Sequence, residues 1–575
     1  MECHKKGTYD ILNWIAENYV VLAICLIFHG ENAERGPQMA DKKLFSSKKH
    51  NRTKVAIKGR KSAPKPFRVV ATDTTNEAGG KAYSFSAKHG LAQYVATGCL
   101  GSTYYATGQE QLAKIIELGA KVGIPFLAKC AVYGREKAFM KDTPALLMAM
   151  ISSRVTNSED REIFAKAFRT VIDNGKMLRN FVQMIRSGEL GRSSFGSQPK
   201  ALINEWLTNA SDKQIVRASI GNDPSLCDII KMTHPKPSNK GREALFGHII
   251  GKNVNLSKLP EILQNFEAFK QGETEEVPEV PWEMLTSQNL GKQQWEAIGR
   301  KMGWQALRMN LETLQRHEVF ENSKMVSFVA KKLADAEEIE KARVFPYQLL
   351  MAYIASTNVP DSIHKALEDA LEVATENVPK FEGNVVVCPD VSGSMHSPVT
   401  GNRGTATTAV QCIDVAALVS ACVLRKNPSA RVIPFSDHVV SARINPRDTV
   451  MTNADKLRDL PSGGTNCSAP LVLLNKEKES PDLIIYVSDN QSWVDFTERM
   501  GSGGMREFKK IRDRNPRSKV VAIDLQPYGS TQFSESDSVM NIGGFSDHVF
   551  ELINEFNQGH LTGDHWVKVI EEVEL

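Results

Sequence analysis

Asn384-Val385-Val386-Val387-Cys388-Pro389-Asp390-Val391-Ser392-Gly393-Ser394-Met395 is the stretch on which the reading of this chain turns. A short, β-branched apolar run without helical spacing reads as a buried strand. It ends in a carboxylate, and two hydroxyls follow at spacings of two and four. In open α/β sheets ligands gather at the C-terminal ends of strands, so Asp-x-Ser-x-Ser falls where a site is built. An all-oxygen donor set suits a hard cation such as Mg²⁺ better than Zn²⁺. A polar turn with serines capping the next helix reads the same residues without a metal.

Two later stretches bear on that choice. Leu460-Pro461-Ser462-Gly463-Gly464-Thr465-Asn466 is a Gly-rich turn presenting the Thr465 hydroxyl. Leu483-Ile484-Ile485-Tyr486-Val487-Ser488-Asp489 is a second apolar strand ending in a carboxylate. A parallel sheet brings Asp390, Ser392, Ser394, Thr465 and Asp489 to one edge, giving five oxygens and one open position for a partner's carboxylate or phosphate. The set holds no base–nucleophile pair, and His396 is its only nearby histidine, so hydrolysis is not suggested.

Around these stretches, from Asn384 onward, strands (384–388, 430–435, 482–488, 518–525) alternate with helices (405–426, 454–459, 468–476, 503–513, 545–557), the pattern of a parallel sheet covered on both faces. From about 84 to 380 the periodicity is helical almost throughout, with runs such as 176–187, 240–250, 293–317 and 361–376 joined by short Gly-, Pro- or Asn-bearing turns. That many short helices exceed one bundle and suggest stacked pairs, an α-solenoid of armadillo or HEAT-like type. The organisation expected is an N-terminal extension and basic arm (1–83), a helical domain (84–380) and an α/β domain (381–575).

The 575 residues carry a net charge of only +4, so a nucleic-acid surface has to be local. Basic residues gather at three helical turns: Arg135 to Lys141; Lys176, Arg179 and Arg186 onward to Arg192 and Lys200; and Lys231, His234, Lys236, Lys240 and Arg242. Such clusters also complement helix C-termini. Eleven Lys/Arg against one acid between Asp41 and Arg68 read as a disordered basic arm, and 69–82 as linker. The apolar run Tyr19–Phe28 is too short to span a bilayer, and residues before Met39 read as an upstream extension. Nine scattered cysteines without a CxxC pair point to reduced thiols and a cytoplasmic protein.

Asp390-Val391-Ser392-Gly393-Ser394 with distant Thr465 and Asp489 resembles the von Willebrand factor A (vWA) domain and its metal-ion-dependent adhesion site. With a helical array ahead of it, the chain resembles the Ro autoantigen family, of bacterial or phage type, whose helical half is called TROVE. Cys227-Asp228-Ile229-Ile230-Lys231-Met232-Thr233-His234-Pro235-Lys236-Pro237, Lys341-Ala342-Arg343-Val344-Phe345-Pro346-Tyr347, Gly101-Ser102-Thr103-Tyr104-Tyr105, Gly463-Gly464-Thr465-Asn466-Cys467-Ser468 and Ser488-Asp489-Asn490 carry the resemblance, in order and in both halves. It implies a helical ring closed by a Rossmann-like vWA domain, with Mg²⁺ held by Asp390, Ser392, Ser394, Thr465 and Asp489. It also implies a ribonucleoprotein scaffold, not an enzyme, binding Y-RNA-like and misfolded noncoding RNAs and working with an exoribonuclease such as polynucleotide phosphorylase, with no DNA or membrane partner. His234 and Lys236, and more loosely Lys141, Arg192 and Lys200, match its RNA-contacting positions. A Mg²⁺-dependent protein-binding module without RNA is the alternative.

Overall fold

The computed structural model describes residues 67–575 apart from 99, 192, 286–287, 343, 345, 403–409, 495–500, 547 and 562–564. Residues 1–66, with the upstream extension and nearly all of the basic arm, and Arg192 lie outside the described residues.

The α/β half is built on a five-stranded parallel sheet in the order β4-β3-β5-β6-β8, formed by β3 (Val385–Pro389), β4 (Arg431–Val432), β5 (Leu483–Ser488), β6 (Lys519–Asp524) and β8 (Val539–Gly543). The apolar runs that defined β3 and β5 are explained by two-sided burial. Val385 and Val387 face a layer containing the helix Cys412–Lys426, while Val386 and Cys388 face the layer of Ala469–Lys476 and Gly503–Arg514. Leu483, Ile485 and Val487 divide from Ile484 and Tyr486 in the same way. Each strand therefore feeds both cores, and a one-residue slip in register would exchange them.

Helices fill the chain from Ala87 to Thr375. In Asp361–Thr375, Ile363, Ala366, Leu367, Ala370, Leu371 and Ala374 are buried at three- and four-residue spacing, so one stripe faces the core. The run 293–317, expected as one helix, is three: Lys292–Lys301, Trp304–Met309 and Leu311–Arg316. Met302 is extended and Gly303 caps the second helix, while Asn310 leaves helical geometry before the third.

Both ends of the helical array are seated on the sheet domain. Ala87–Thr97 packs against β8, where the His89 Nε2 lies 3.1 Å from the Asn541 carbonyl and Nδ1 lies 2.6 Å from Glu535. At the other end, Glu372 accepts from the Val450 N–H at 2.7 Å and pairs with Arg425 at 3.1 Å, while Tyr347 meets Phe545 edge-on at 4.9 Å. An array that leaves one domain and returns to it is a ring closed by that domain.

Segment 69–82, read as linker, is ordered here. β1 (Thr74–Thr75) and β2 (Lys81–Ser84) form a hairpin, and β2 pairs antiparallel with β7 (Ser530–Thr531). Phe67 packs edge-on against Phe508 at 5.5 Å. The boundary expected at 83 thus cuts through a segment that belongs to the sheet domain in space. The converse crossing occurs at the other end: helix His565–Glu571 packs on the helical half, where the buried Trp566 donates from its indole N–H to the Tyr133 hydroxyl at 3.1 Å. No described helix is long and apolar enough to cross a membrane.

Candidate metal centre and basic face

Asp390 stands at the end of β3 and Asp489 at the end of the neighbouring β5, so the parallel register places them side by side. Asp390 Oδ1 accepts from the Ser392 N–H at 2.8 Å and Oδ2 from the Ser488 hydroxyl at 2.6 Å. That clamp folds the chain back so that the Ser392 and Ser394 hydroxyls lie 3.3 Å apart. The Gly-rich turn is tied to both: Gly393 N–H donates to Gly463 O at 3.0 Å, and Trp493 and Val494 N–H both donate to Thr465 O at 3.1 Å. A Cβ on Gly464 would lie 2.8 Å from the Trp493 ring, so a larger residue there would push that exposed side chain aside. The structure thus brings together the three loops that carry the five residues taken from the sequence, every one of them buried.

The electrostatics are those of a site short of positive charge. Burial, and secondarily the neighbouring Asp390, pushes the Asp489 carboxyl up to about 7, and burial also raises Asp390. Neither forms an ion pair among the described residues, and Asp489 Oδ2 lacks a protein hydrogen-bond partner. Two carboxylates and three hydroxyls with an orphaned buried oxygen are what a small hard cation could use.

A third carboxylate was missed in the sequence. Asp524 ends β6, the next strand over, and is fully buried with no cation beside it among the described residues, near the Gln526 N–H and the Asn490 side chain. Burial, and then the Asp489 charge, raises its pKa well above the ordinary value. A raised folded-state pKa means that folding takes up protons between the unfolded value near ~4 and the folded value, so stability falls as pH rises across that window. Asp524→Asn is therefore expected to raise Tm at pH 8 and leave it unchanged at pH 4, measured by calorimetry without divalent cations. An equal shift at both pH values would mean that Asp524 is not held protonated.

The basic clusters divide on inspection. His234, Lys236 and Lys240 are exposed on the turn between Leu226–Thr233 and Lys240–Ile249, and Arg186 and Lys231, also exposed, lie near Asp228 at its base. Ser225 caps the first helix through Asp228, and His234 ends it in the left-handed conformation with φ of 52°, its N–H donating to Ile230 O. Pro235 is buried and anchors the turn, leaving Lys236 projecting. Lys141 precedes Asp142–Arg154, and Lys200 lies within Ser197–Asn209, the helix whose Asn204 donates to Thr233 O at 3.1 Å beside that turn; both lysines are half-buried.

Arg242 is a correction. Its guanidinium is 7% exposed and donates to Leu207 O at 3.0 Å and Ala210 O at 2.6 Å, with Asp212 3.0 Å away. It caps the C-terminus of the neighbouring helix and offers no face to a phosphate. Arg154 does the same for Gly119 O and Val122 O, and Arg179 for Ala218 O and Ile220 O, while Arg135 pairs with Asp173. Sequence shows an arginine near a helix end; whether it reaches solvent or the next helix's open carbonyls depends on packing.

Residues 222–379 match the model of the TROVE domain and residues 384–557 that of the Ro60 vWA domain. A helical TROVE array joined to a vWA domain is the class of protein that fold and site define. The chain belongs to the Ro-like proteins within it. It is 23% identical to the RNA-binding protein RO60 of Deinococcus radiodurans, covering 87% of this chain and 98% of that protein. It is 25% identical to the RNA-binding protein RO60 of Caenorhabditis elegans, over 42% of this chain and 38% of that one. The crystal structure of the Deinococcus radiodurans RO (RSR) protein superposes with a TM-score of 0.60 at 20% identity, covering 83% of this chain and all of that one.

Proposed function

We propose that this chain binds RNA through the exposed basic turn of its helical half, and that its ligands are structured noncoding RNAs of the Y-RNA kind and the single-stranded ends of misfolded RNAs. The carrying observation is the projection of His234, Lys236 and Lys240 from one turn, with Arg186 and Lys231 beside it. The naming of two relatives as RNA-binding proteins supports the reading. The protein acts as a scaffold in RNA quality control, presenting RNA to an exoribonuclease such as polynucleotide phosphorylase, and is not itself an enzyme. Asp390, Ser392, Ser394, Thr465 and Asp489 hold Mg²⁺ or a similar divalent cation. A cytoplasmic location accords with the free thiols of Cys130, Cys227, Cys388, Cys412, Cys422 and Cys467.

Phosphate contacts dominate such binding and make it fall with salt. The double charge reversal Lys236→Glu with Lys240→Glu is expected to weaken single-stranded RNA binding by about tenfold or more and to lower the salt slope by about two. Titration of labelled RNA at several salt concentrations reads both quantities. Unchanged affinity and slope would place the RNA elsewhere.

A further inference from the structure

The segment Gly101–Thr107 of the helical half lies on the metal centre of the sheet domain. Ser102 and Asn402 form a two-way backbone pair, N–H to O at 3.0 and 2.6 Å. The two backbones touch at Gly101 and Gly401, where a Cβ on Gly401 would come within 2.7 Å of the Gly101 carbonyl carbon. The segment is braced from within: Thr103 N–H donates to Ala106 O at 2.7 Å, Gly108 N–H to Ser102 Oγ at 3.0 Å, and Thr107 opens the helix Gly108–Ala120 with a capping box through Glu110. What it presents is Tyr105. Its ring meets Tyr528 edge-on at 5.6 Å, and the Tyr528 hydroxyl donates to Gln526 Oε1 at 3.1 Å. Gln526 in turn holds the chain just past the serine motif, accepting from Ser397 Oγ at 3.1 Å and donating to Pro398 O at 2.7 Å. The Tyr105 hydroxyl stands near Ser394, within the field of Asp489 and Asp390, and burial and then the Asp489 charge hold its proton more tightly than in a free tyrosine.

We propose that the helical half supplies the roof of the metal centre, with Tyr105 standing on the side from which a partner's carboxylate would enter. The centre then works as an internal clasp between the two halves, not as a receptor for an external ligand. The inference rests on the metal reading above. It accounts for an otherwise odd combination: residues suited to adhesion chemistry, all of them buried. A cation bound by Ser394 and Asp489 tightens the ground on which Tyr105 sits, and Tyr105 in turn excludes water and competing carboxylates from the cation.

The test uses the full chain with two readouts. Mn²⁺ binding is followed by electron paramagnetic resonance, and hydrogen exchange of the 101–107 peptide is followed with and without Mg²⁺. The clasp predicts that Mg²⁺ slows exchange of that peptide in the unaltered protein and that added acetate leaves the Mn²⁺ spectrum unchanged. In Tyr105→Phe the protection is lost, acetate perturbs the spectrum, and the Mn²⁺ Kd rises by up to about tenfold, the scale of one polar contact. Mn²⁺ binding without protection of 101–107 in the unaltered protein overturns the clasp and spares the metal reading. So does an acetate response equal to that of the variant. Failure of Mn²⁺ to bind the unaltered protein at pH 8 overturns both.

Discussion

Asp390→Ala is expected to abolish divalent-cation binding while leaving RNA affinity within about twofold. The size of the first effect follows from the double duty of this carboxylate. It is one of only two carboxylates among the five assembled donors, and its oxygens also hold the Ser392 N–H and the Ser488 hydroxyl, which set the positions of Ser392, Ser394 and Asp489. Removing it takes away half the negative charge and loosens the rest of the set. The smallness of the second effect follows from the basic turn, whose helix Leu226–Thr233 packs on Gly175–Arg186, Ser197–Asn209 and Lys240–Ile249 within the helical half. Isothermal titration with Mg²⁺ and filter binding with RNA measure the two separately. Parallel loss of both activities would mean that the cation shapes the RNA surface and that the two functions are one.

Arg242→Met is expected to show the opposite profile: a loss of about 2–4 kcal/mol of stability with RNA affinity per folded molecule unchanged. The substitution removes two charge-assisted hydrogen bonds to helix-end carbonyls and strands those carbonyls in a buried place, while the methionine keeps most of the packing against Phe246. Chemical denaturation reads the stability, and RNA titration well below the transition reads the affinity. Paired with the reversal of Lys236 and Lys240, it separates two kinds of cation that stand within seven residues of one another in the sequence. A fall in RNA affinity with unchanged stability would return Arg242 to the binding surface.

Much of the α/β half is written in runs that have only one physical reading. Strands buried on both faces must be apolar throughout, so β3 and β5 stand out, and a carboxylate at the end of each marks the sheet edge. What escaped notice depends on distant partners. Lys81-Ala82-Tyr83-Ser84 is a strand because Thr74 and Thr75 pair with its first half, and Ser530 and Thr531, far along the chain, with its second. β8 carries Asn541 within it, a residue that disfavours strands, yet there the side chain accepts from Thr531 Oγ1 at 2.7 Å and donates to Phe533 O at 2.9 Å. Asp524 ends β6 just as Asp489 ends β5, and the parallel between them was the available signal. Tyr105 was visible within the Gly-Ser-Thr-Tyr-Tyr motif, but nothing local distinguishes it from Tyr104, which is 60% exposed. Only the folded chain sets one of the two tyrosines against Tyr528, beside the candidate metal site.

The hairpin near the start of the chain carries a consequence for how this protein comes into being. β2 pairs with β1 as soon as both are made, but finds its second partner strand only after residue 531 has been made. At ~5–20 residues per second, that is a wait of roughly 20 to 90 seconds. Through that time the strand has an open edge, and the Phe67 ring has no Phe508 to cover it. The hairpin is therefore completed long after it is made, and it sets its seal on the sheet domain only once residues 530–531 have followed it out.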